Sequence, residues 1–198
     1  MNVLVACEYS GVVREAFAKQ GHTAISCDIL PSEKPGWHYQ GDVLDILTYG
    51  WDLMIAHPPC TYLANSGVSW LHKKPGRWEL LDEGAAFFKA LLDAPIFRIC
   101  IENPIPHKYA IERIGRKYDQ LIQPYQFGHP ETKATCLWLK NLKPLEETNN
   151  VKYMKELLPD SEWQRGHYLP PSKDRAKERA RTFEGIAEAM AKQWNYTF

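Results

Sequence analysis

The segment Trp51-Asp-Leu-Met-Ile-Ala-His-Pro-Pro-Cys60 constrains the fold of this chain more than any other stretch. A short apolar run ends abruptly at His57, and two consecutive prolines then remove two backbone donors and fix φ. A strand cannot continue through such a pair, so the chain emerges extended at the sheet edge, with Cys60 presented rather than packed. In an open α/β sheet, groups just past the carboxyl end of a strand line the crevice where ligands bind. Cys60 is therefore a candidate nucleophile; the alternative is a small buried hydrophobe.

The 198 residues suffice for one domain, spanning 1–198, with a full core. Lys plus Arg and Asp plus Glu both number 24, so no global field draws the chain to polyanions, and nucleic-acid binding requires a local patch. Five scattered cysteines without a CxxC pair argue against a disulfide framework and against a structural zinc site; no metal is expected, and a reducing cytoplasm is the natural setting. Met1-Asn-Val-Leu-Val-Ala-Cys7 lacks the basic flank and long apolar core of a signal peptide, and no apolar run is long enough to span a membrane.

Taken in order, Val3 to Cys7 reads as a strand, Glu8-Tyr-Ser-Gly11 as a turn, and Val12 to Gln20 as a helix stopped by Gly21. This is the opening of a nucleotide-binding α/β unit, although a turn with one glycine is not the dinucleotide fingerprint. Thr23 to Asp28 reads as a second strand whose terminal acid is placed either for a ribose hydroxyl pair or to start the turn toward Pro31. Asp42, before Val43, Leu44 and Ile46, is either a second acid near an adenine edge or a cap. Thr61 to Gly76 is a long polar loop in which Trp70, His72, Lys73, Lys74 and the following Arg77 mix aromatics with positive charge. A helix follows from Trp78 to Leu92.

The next strand, Phe97 to Ile101, is expected to end in Glu102-Asn103-Pro104, repeating the pattern of apolar strand, polar chemistry and proline. Leu121 to Phe127 and Cys136 to Leu139 read as two further strands. Leu142 to Pro171 reads as irregular, and Ser172 to Asn195 as a final helix, basic first and amphipathic later.

Pro58-Pro59-Cys60 and Glu102-Asn103-Pro104 at successive strand ends resemble the catalytic motifs of the C5-cytosine DNA methyltransferases, and most closely their short phage- or prophage-borne members. Gly185-Ile-Ala-Glu-Ala-Met-Ala191 is similar to the last motif of that family, which returns to the cofactor pocket. The resemblance implies a Rossmann-like α/β domain of three layers with a mostly parallel sheet. It implies S-adenosyl-L-methionine as methyl donor, with Asp28 on the ribose and Asp42 on the adenine amino group. Glu8, Tyr9, Ser10, Gly11 and Pro58 would line the pocket. Cys60 would add to cytosine C6 and Glu102 would protonate N3, with the target base flipped out of duplex DNA.

Where the family carries a glutamine and two arginines on alternate positions, this chain has Glu131, Lys133 and Thr135, so Lys133 alone keeps a positive charge for base or phosphate contact. The family also places a sizeable target-recognition region where this chain has only 142–171, an insert reduced or absent. Reduced DNA recognition, help from a recognition partner protein, action on free pyrimidine nucleotides, and a catalytically silent binding module therefore remain open readings.

Overall fold

A computed structural model describes residues 1–173 and 175–196. Val3, Leu4, Val5 and Ala6 are all fully buried, and their alternation sends two residues to each face of the same strand. A strand apolar on both faces belongs in the middle of a sheet covered on both sides. That is the position of β1 (Asn2–Ala6) in a seven-stranded sheet that also contains β2 (Thr23–Asp28), β3 (His38–Gln40), β4 (Leu53–Ala56), β5 (Arg98–Pro104), β6 (Gln120–Ile122) and β7 (Thr135–Lys140), in the order β3-β2-β1-β4-β5-β7-β6. β1 to β5 run parallel, and β7 is antiparallel to both of its neighbours. The expected Rossmann-like α/β architecture with a mostly parallel sheet is the one observed.

Two core clusters make the three layers. On one face Val3, Val5, Leu53 and Ile55 pack with Val13 and Phe17 of α1 (Val12–Lys19) and with Ile186, Ala187 and Met190 of α7 (Glu184–Gln193). On the other face Leu4, Met54, Ile99 and Trp138 pack with Leu81, Phe88 and Leu91 of α2 (Arg77–Leu92) and with Ala110 and Ile114 of α3 (Lys108–Ile114). The Phe88 and Trp138 rings meet edge to face, 4.9 Å between centroids, which contributes about 1 kcal/mol beyond area burial.

Several sequence expectations are corrected. β5 does not stop at Ile101: Glu102, Asn103 and Pro104 pair with Leu137, Cys136 and Thr135 of β7, so the antiparallel partner carries the strand on after β4 has ended. The strand expected over 121–127 shortens to Gln120–Ile122, because Pro124 opens a 3-10 turn. His38–Gln40, given no element from the sequence, forms a short edge strand. The segment 142–171 is largely irregular, with two four-residue helices, α4 (Asp160–Trp163) and α5 (Arg165–Tyr168). The single final helix is two helices, α6 (Arg175–Ala180) and α7, separated where Phe183 is extended. Of that stretch, residue 174 lies outside the described residues.

Candidate active site

The strand order reverses between β1 and β4, since β1 connects onward to β2 on one side while β4 lies on the other. The crevice beyond the carboxyl ends of this pair is where such sheets bind ligands. The 7–11 turn and the 57–60 turn both leave the sheet there, tied together by the His57 amide donating to the Ala6 carbonyl at 2.9 Å.

Glu8 is buried, and its carboxylate accepts from the amides of Val13 (2.7 Å) and Arg14 (3.2 Å) and from Ser10 Oγ (3.1 Å). An acid on the free N–H groups of a first helical turn is favourable in both charge and hydrogen bonding. Both Glu8 oxygens are thus engaged in holding α1. Gly11 begins α1 at φ 72, and a Cβ there would lie 2.6 Å from Arg14 Nη2. Glycine meets both demands. The buried Arg14 guanidinium beneath it donates to Ser26 Oγ, Ser32 Oγ and the carbonyls of Lys34 and Pro35, pinning the loop after β2.

Alternation along β5 sends Glu102 and Asn103 to opposite faces. Asn103 Nδ2 donates to the Pro58 carbonyl at 3.0 Å, a strut between β5 and the proline turn. Glu102 Oε2 lies 3.1 Å from His57 Nδ1, with the side chains only 11% and 15% exposed. Burial alone would raise the Glu102 carboxyl, but the charge and hydrogen bond of His57, then Lys133 and Thr182, hold it below its usual range. Burial pulls the His57 imidazole down, and the Glu102 hydrogen bond and charge, helped by Glu8, override it and raise the pKa. Both shifts favour the charged forms, an imidazolium facing a carboxylate. His57 Nε2 and Asn103 Oδ1 are buried without a hydrogen-bond partner among the described residues.

Cys60 and Lys133 complete the cluster. Burial pushes the Cys60 thiol up, while the positive charges of Lys133 and Arg179 pull against it. Burial also pulls the Lys133 ammonium down, opposed by Glu102 and Cys60. Its Nζ donates to the Arg181 carbonyl at 3.0 Å. Cys60 is half-buried, less presented than two prolines suggest, because its carbonyl at once accepts the amides of Leu63 and Ala64 and turns the chain back.

The stretch from α6 to Thr182 lies across the crevice as a strap. Thr182 Oγ1 donates to Glu102 Oε2 at 3.4 Å, Tyr9 Oη donates to the Lys177 carbonyl at 3.3 Å, and Glu33 binds Lys177 Nζ and Arg181 Nη2, each at 2.5 Å. Beneath it remains a cavity of about 70 Å³ bordered by Cys7, Glu8, Tyr9, Ser10 and His57, with Ala180 to Thr182 as its roof. That volume is below the roughly 300 Å³ typical of sites for cofactor-sized ligands. Asp28, at the end of β2, accepts the Leu30 amide on Oδ1 and keeps Oδ2 without a partner among the described residues. Asp42 is an exposed cap of the following turn, accepting the Leu44 amide on Oδ1. Both acids act on Cys7, whose thiol is pushed to about 12 by burial first and then by Asp28, Cys27 and Asp42.

No protein-family model matches the sequence, and no curated protein matches it. Solved structures similar to it over part of their length include three methyltransferases. One, from E. coli, is described as a candidate DNA modification methyltransferase encoded within a prophage, with 14% identity, TM-score 0.44, and coverage of 70% of this chain and 46% of that one. The Entamoeba histolytica methyltransferase EhMeth has 17% identity, TM-score 0.47, and coverage of 76% and 57%. The S. pombe Dnmt2 methyltransferase has 15% identity, TM-score 0.47, and coverage of 89% and 62%. The chain thus spans between 46% and 62% of the length of these structures.

The residues singled out in the sequence divide into two groups at one sheet edge. Cys60, Glu102 and Lys133 converge with His57, while Glu8, Tyr9, Ser10 and Gly11 surround the small cavity, with Asp28 and Asp42 beyond Cys7 and Pro58 behind as the strut's acceptor. Sequence reasoning missed the Glu102 partners His57 and Thr182 and the strap's anchor Glu33, and read Arg181 only as one of a basic run that meets phosphates or is solvated. Only His57 carried a signal, a histidine directly before the two prolines. Beside the thiol turn, a cleft of about 460 Å³ is lined by Leu71, His72, Lys73, Lys74, Pro75, Gly76, Trp78 and Glu79. The exposed Trp70 carries Lys74 Nζ 4.8 Å from its ring centroid, so aromatic and basic groups do share one surface.

Proposed function

We propose that this protein transfers a methyl group from S-adenosyl-L-methionine to C5 of cytosine in DNA through a covalent Cys60 adduct at C6. The observation that carries this reading is the convergence of a thiol, a buried carboxyl group and an ammonium from three separate segments: Cys60 after β4, Glu102 in β5 and Lys133 before β7. Cytosine C5 is a poor nucleophile. Thiolate addition at C6 makes it enamine-like, and an acid at N3 relieves the charge that develops on the ring. The donor would supply an electrophilic methyl group, with Asp28 Oδ2 as the acceptor available to a ribose hydroxyl. The basic and aromatic surface around Trp70, Lys73 and Lys74 supports a polynucleotide substrate.

A second reading, methylation of free pyrimidine nucleotides, is favoured by the small 142–171 segment, whose two four-residue helices offer little to read a groove. Transfer of labelled methyl to duplex DNA and to dCMP, by wild type and by Cys60→Ser, separates the readings. Label in 5-methylcytosine of DNA, lost in the variant, is expected. Greater transfer to dCMP would select the second reading, and transfer undiminished in Cys60→Ser would refute the thiol mechanism. Failure to bind the donor, with DNA binding retained, would mark a silent binding module.

A further inference from the structure

The carboxyl group best placed to protonate a base is not alone. Its partner, His57, comes from the turn directly before the two prolines, and the proline pair fixes the path from the imidazole to Cys60. The 3.1 Å contact between Nδ1 and Oε2 is largely buried, the two side chains keeping 15% and 11% exposure, and Thr182 donates to the same oxygen. A salt bridge this buried costs much desolvation and is poor evidence of a gain in stability. A functional role accounts better for a histidine there, where an apolar residue would fill the space without that penalty.

Resting on the methyl-transfer reading, we infer that His57 and Glu102 form a proton-sharing pair in which His57 is the reserve from which Glu102 draws the proton it delivers to the pyrimidine. The step balances with one proton. Attack of the Cys60 thiolate forms the S–C6 bond, the C5=C6 electron pair moves toward C4, and the N3=C4 pair moves onto N3. The imidazolium gives its Nδ1 proton to the Glu102 carboxylate, and the carboxyl gives a proton to N3, leaving His57 neutral. Once the C4=C5 pair has bonded to the methyl group, a water molecule takes the C5 proton and the C5–H electrons form C5=C6. The S–C6 electrons return to sulfur as the thiolate, and N3 returns its proton through Glu102 to His57. His57 touches Glu102 rather than the base, so it is a positioning residue.

The charged and titratable groups that bear on the pair are Glu8 from the turn after β1, Lys133 from the segment before β7, and Cys60 and Arg179 around them. Glu8 favours the imidazolium and Lys133 opposes it. The arrangement keeps a transferable proton near neutral pH, where an isolated carboxyl group with a pKa of about 4.3 would have lost it.

Two measurements test the pair. Histidine-selective labelling resolves the seven imidazoles, and the spectrum of His57→Asn assigns one of them to His57. In wild type His57 is expected to titrate above its ordinary value of about 6.5 and to fall back in Glu102→Gln. A titration unchanged by Glu102→Gln overturns the inference with no methyl transfer needed. In the second measurement, His57→Asn keeps a donor near the Nδ1 position but no titratable proton. Its transfer rate is expected to fall about a hundredfold at neutral pH and to recover toward acid pH, where Glu102 carries its own proton. A loss uniform across pH overturns the relay, since a purely structural role predicts that result. Absence of transfer in wild type removes the methyl-transfer reading and the relay with it, whereas a normal His57 titration removes the relay alone.

Discussion

Alanine at two helical glycines should act in opposite directions. In a helix, alanine is favoured over glycine by up to about 1 kcal/mol. Gly84, in α2, would gain a Cβ whose nearest neighbours are Leu63 Cδ2 and Tyr62 Cβ, both at 3.8 Å, an ordinary contact. Gly84→Ala is therefore expected to stabilise the fold by about 0.5–1 kcal/mol. Gly185, in the first turn of α7, would place a Cβ 2.0 Å from the Phe127 carbonyl oxygen and 3.0 Å from His129 Nε2, where contact becomes ordinary at 3.4 Å. The obstacle is backbone, so the helix itself must retreat by more than an ångström. Overpacking of this kind costs about 3 kcal/mol. The bond from the Gly185 amide to His129 Nε2, 2.9 Å long, adds about 1 kcal/mol when lost. Against at most about 1 kcal/mol of propensity, Gly185→Ala is expected to destabilise by about 3 kcal/mol. Urea unfolding of the three proteins, with m-values compared to confirm a common transition, reads both shifts. A Gly185→Ala midpoint at or above that of wild type would refute the packing argument, and so would shifts of the same sign in both variants.

The strap should respond to charge. Glu33→Gln removes two half-exposed ion pairs, together about 1 kcal/mol, so tryptic cleavage after Lys177, Arg179 or Arg181 is expected to quicken about fivefold. Raised salt should have a similar effect on wild type but little on the variant; cleavage equal in the two proteins at low salt would show that the pairs do not hold the strap. The His57 and Glu102 pair should make stability depend on pH at both ends. Glu102 titrates below its ordinary value, so its contribution is present above about pH 4.3 and is lost as pH falls through the depressed pKa. His57 titrates above its ordinary value, so its contribution is full below about pH 6.5 and is lost as pH rises through the raised pKa. His57→Ala should cost about 3 kcal/mol near neutrality by removing the ion-pair partner of Glu102 and leaving it the Thr182 hydrogen bond and the Lys133 charge, and should abolish the alkaline decline in denaturant titrations from about pH 5 to about pH 9. An identical alkaline decline in the variant would assign it to other groups.

Sequence alone determined the parts of this protein that depend on near neighbours. Apolar runs at Val3, Leu53 and Ile99 become adjacent central strands, because residues buried on both faces leave a strand no other place in an α/β sheet. The proline pair ended β4 and carried Cys60 to the carboxyl edge, as a missing donor and a fixed φ require. The tertiary structure decided what depends on a partner distant in the chain. Glu102 reads as the end of a strand, but β7, more than thirty residues later, supplies the antiparallel hydrogen bonds that keep it inside one. The sequence records a histidine at 57, but only folding brings its ring to a carboxylate 45 residues away and so sets the charge of both. The final basic segment reads as part of one amphipathic helix. In the structure it breaks at Arg181 to Phe183, where Lys133 takes the Arg181 carbonyl and Thr182 turns to Glu102, bonds that no helical period encodes. Charge and hydrogen bonding act through space and periodicity acts along the chain, so the strand framework could be read from the sequence while the proton-sharing pair and the strap over it could not.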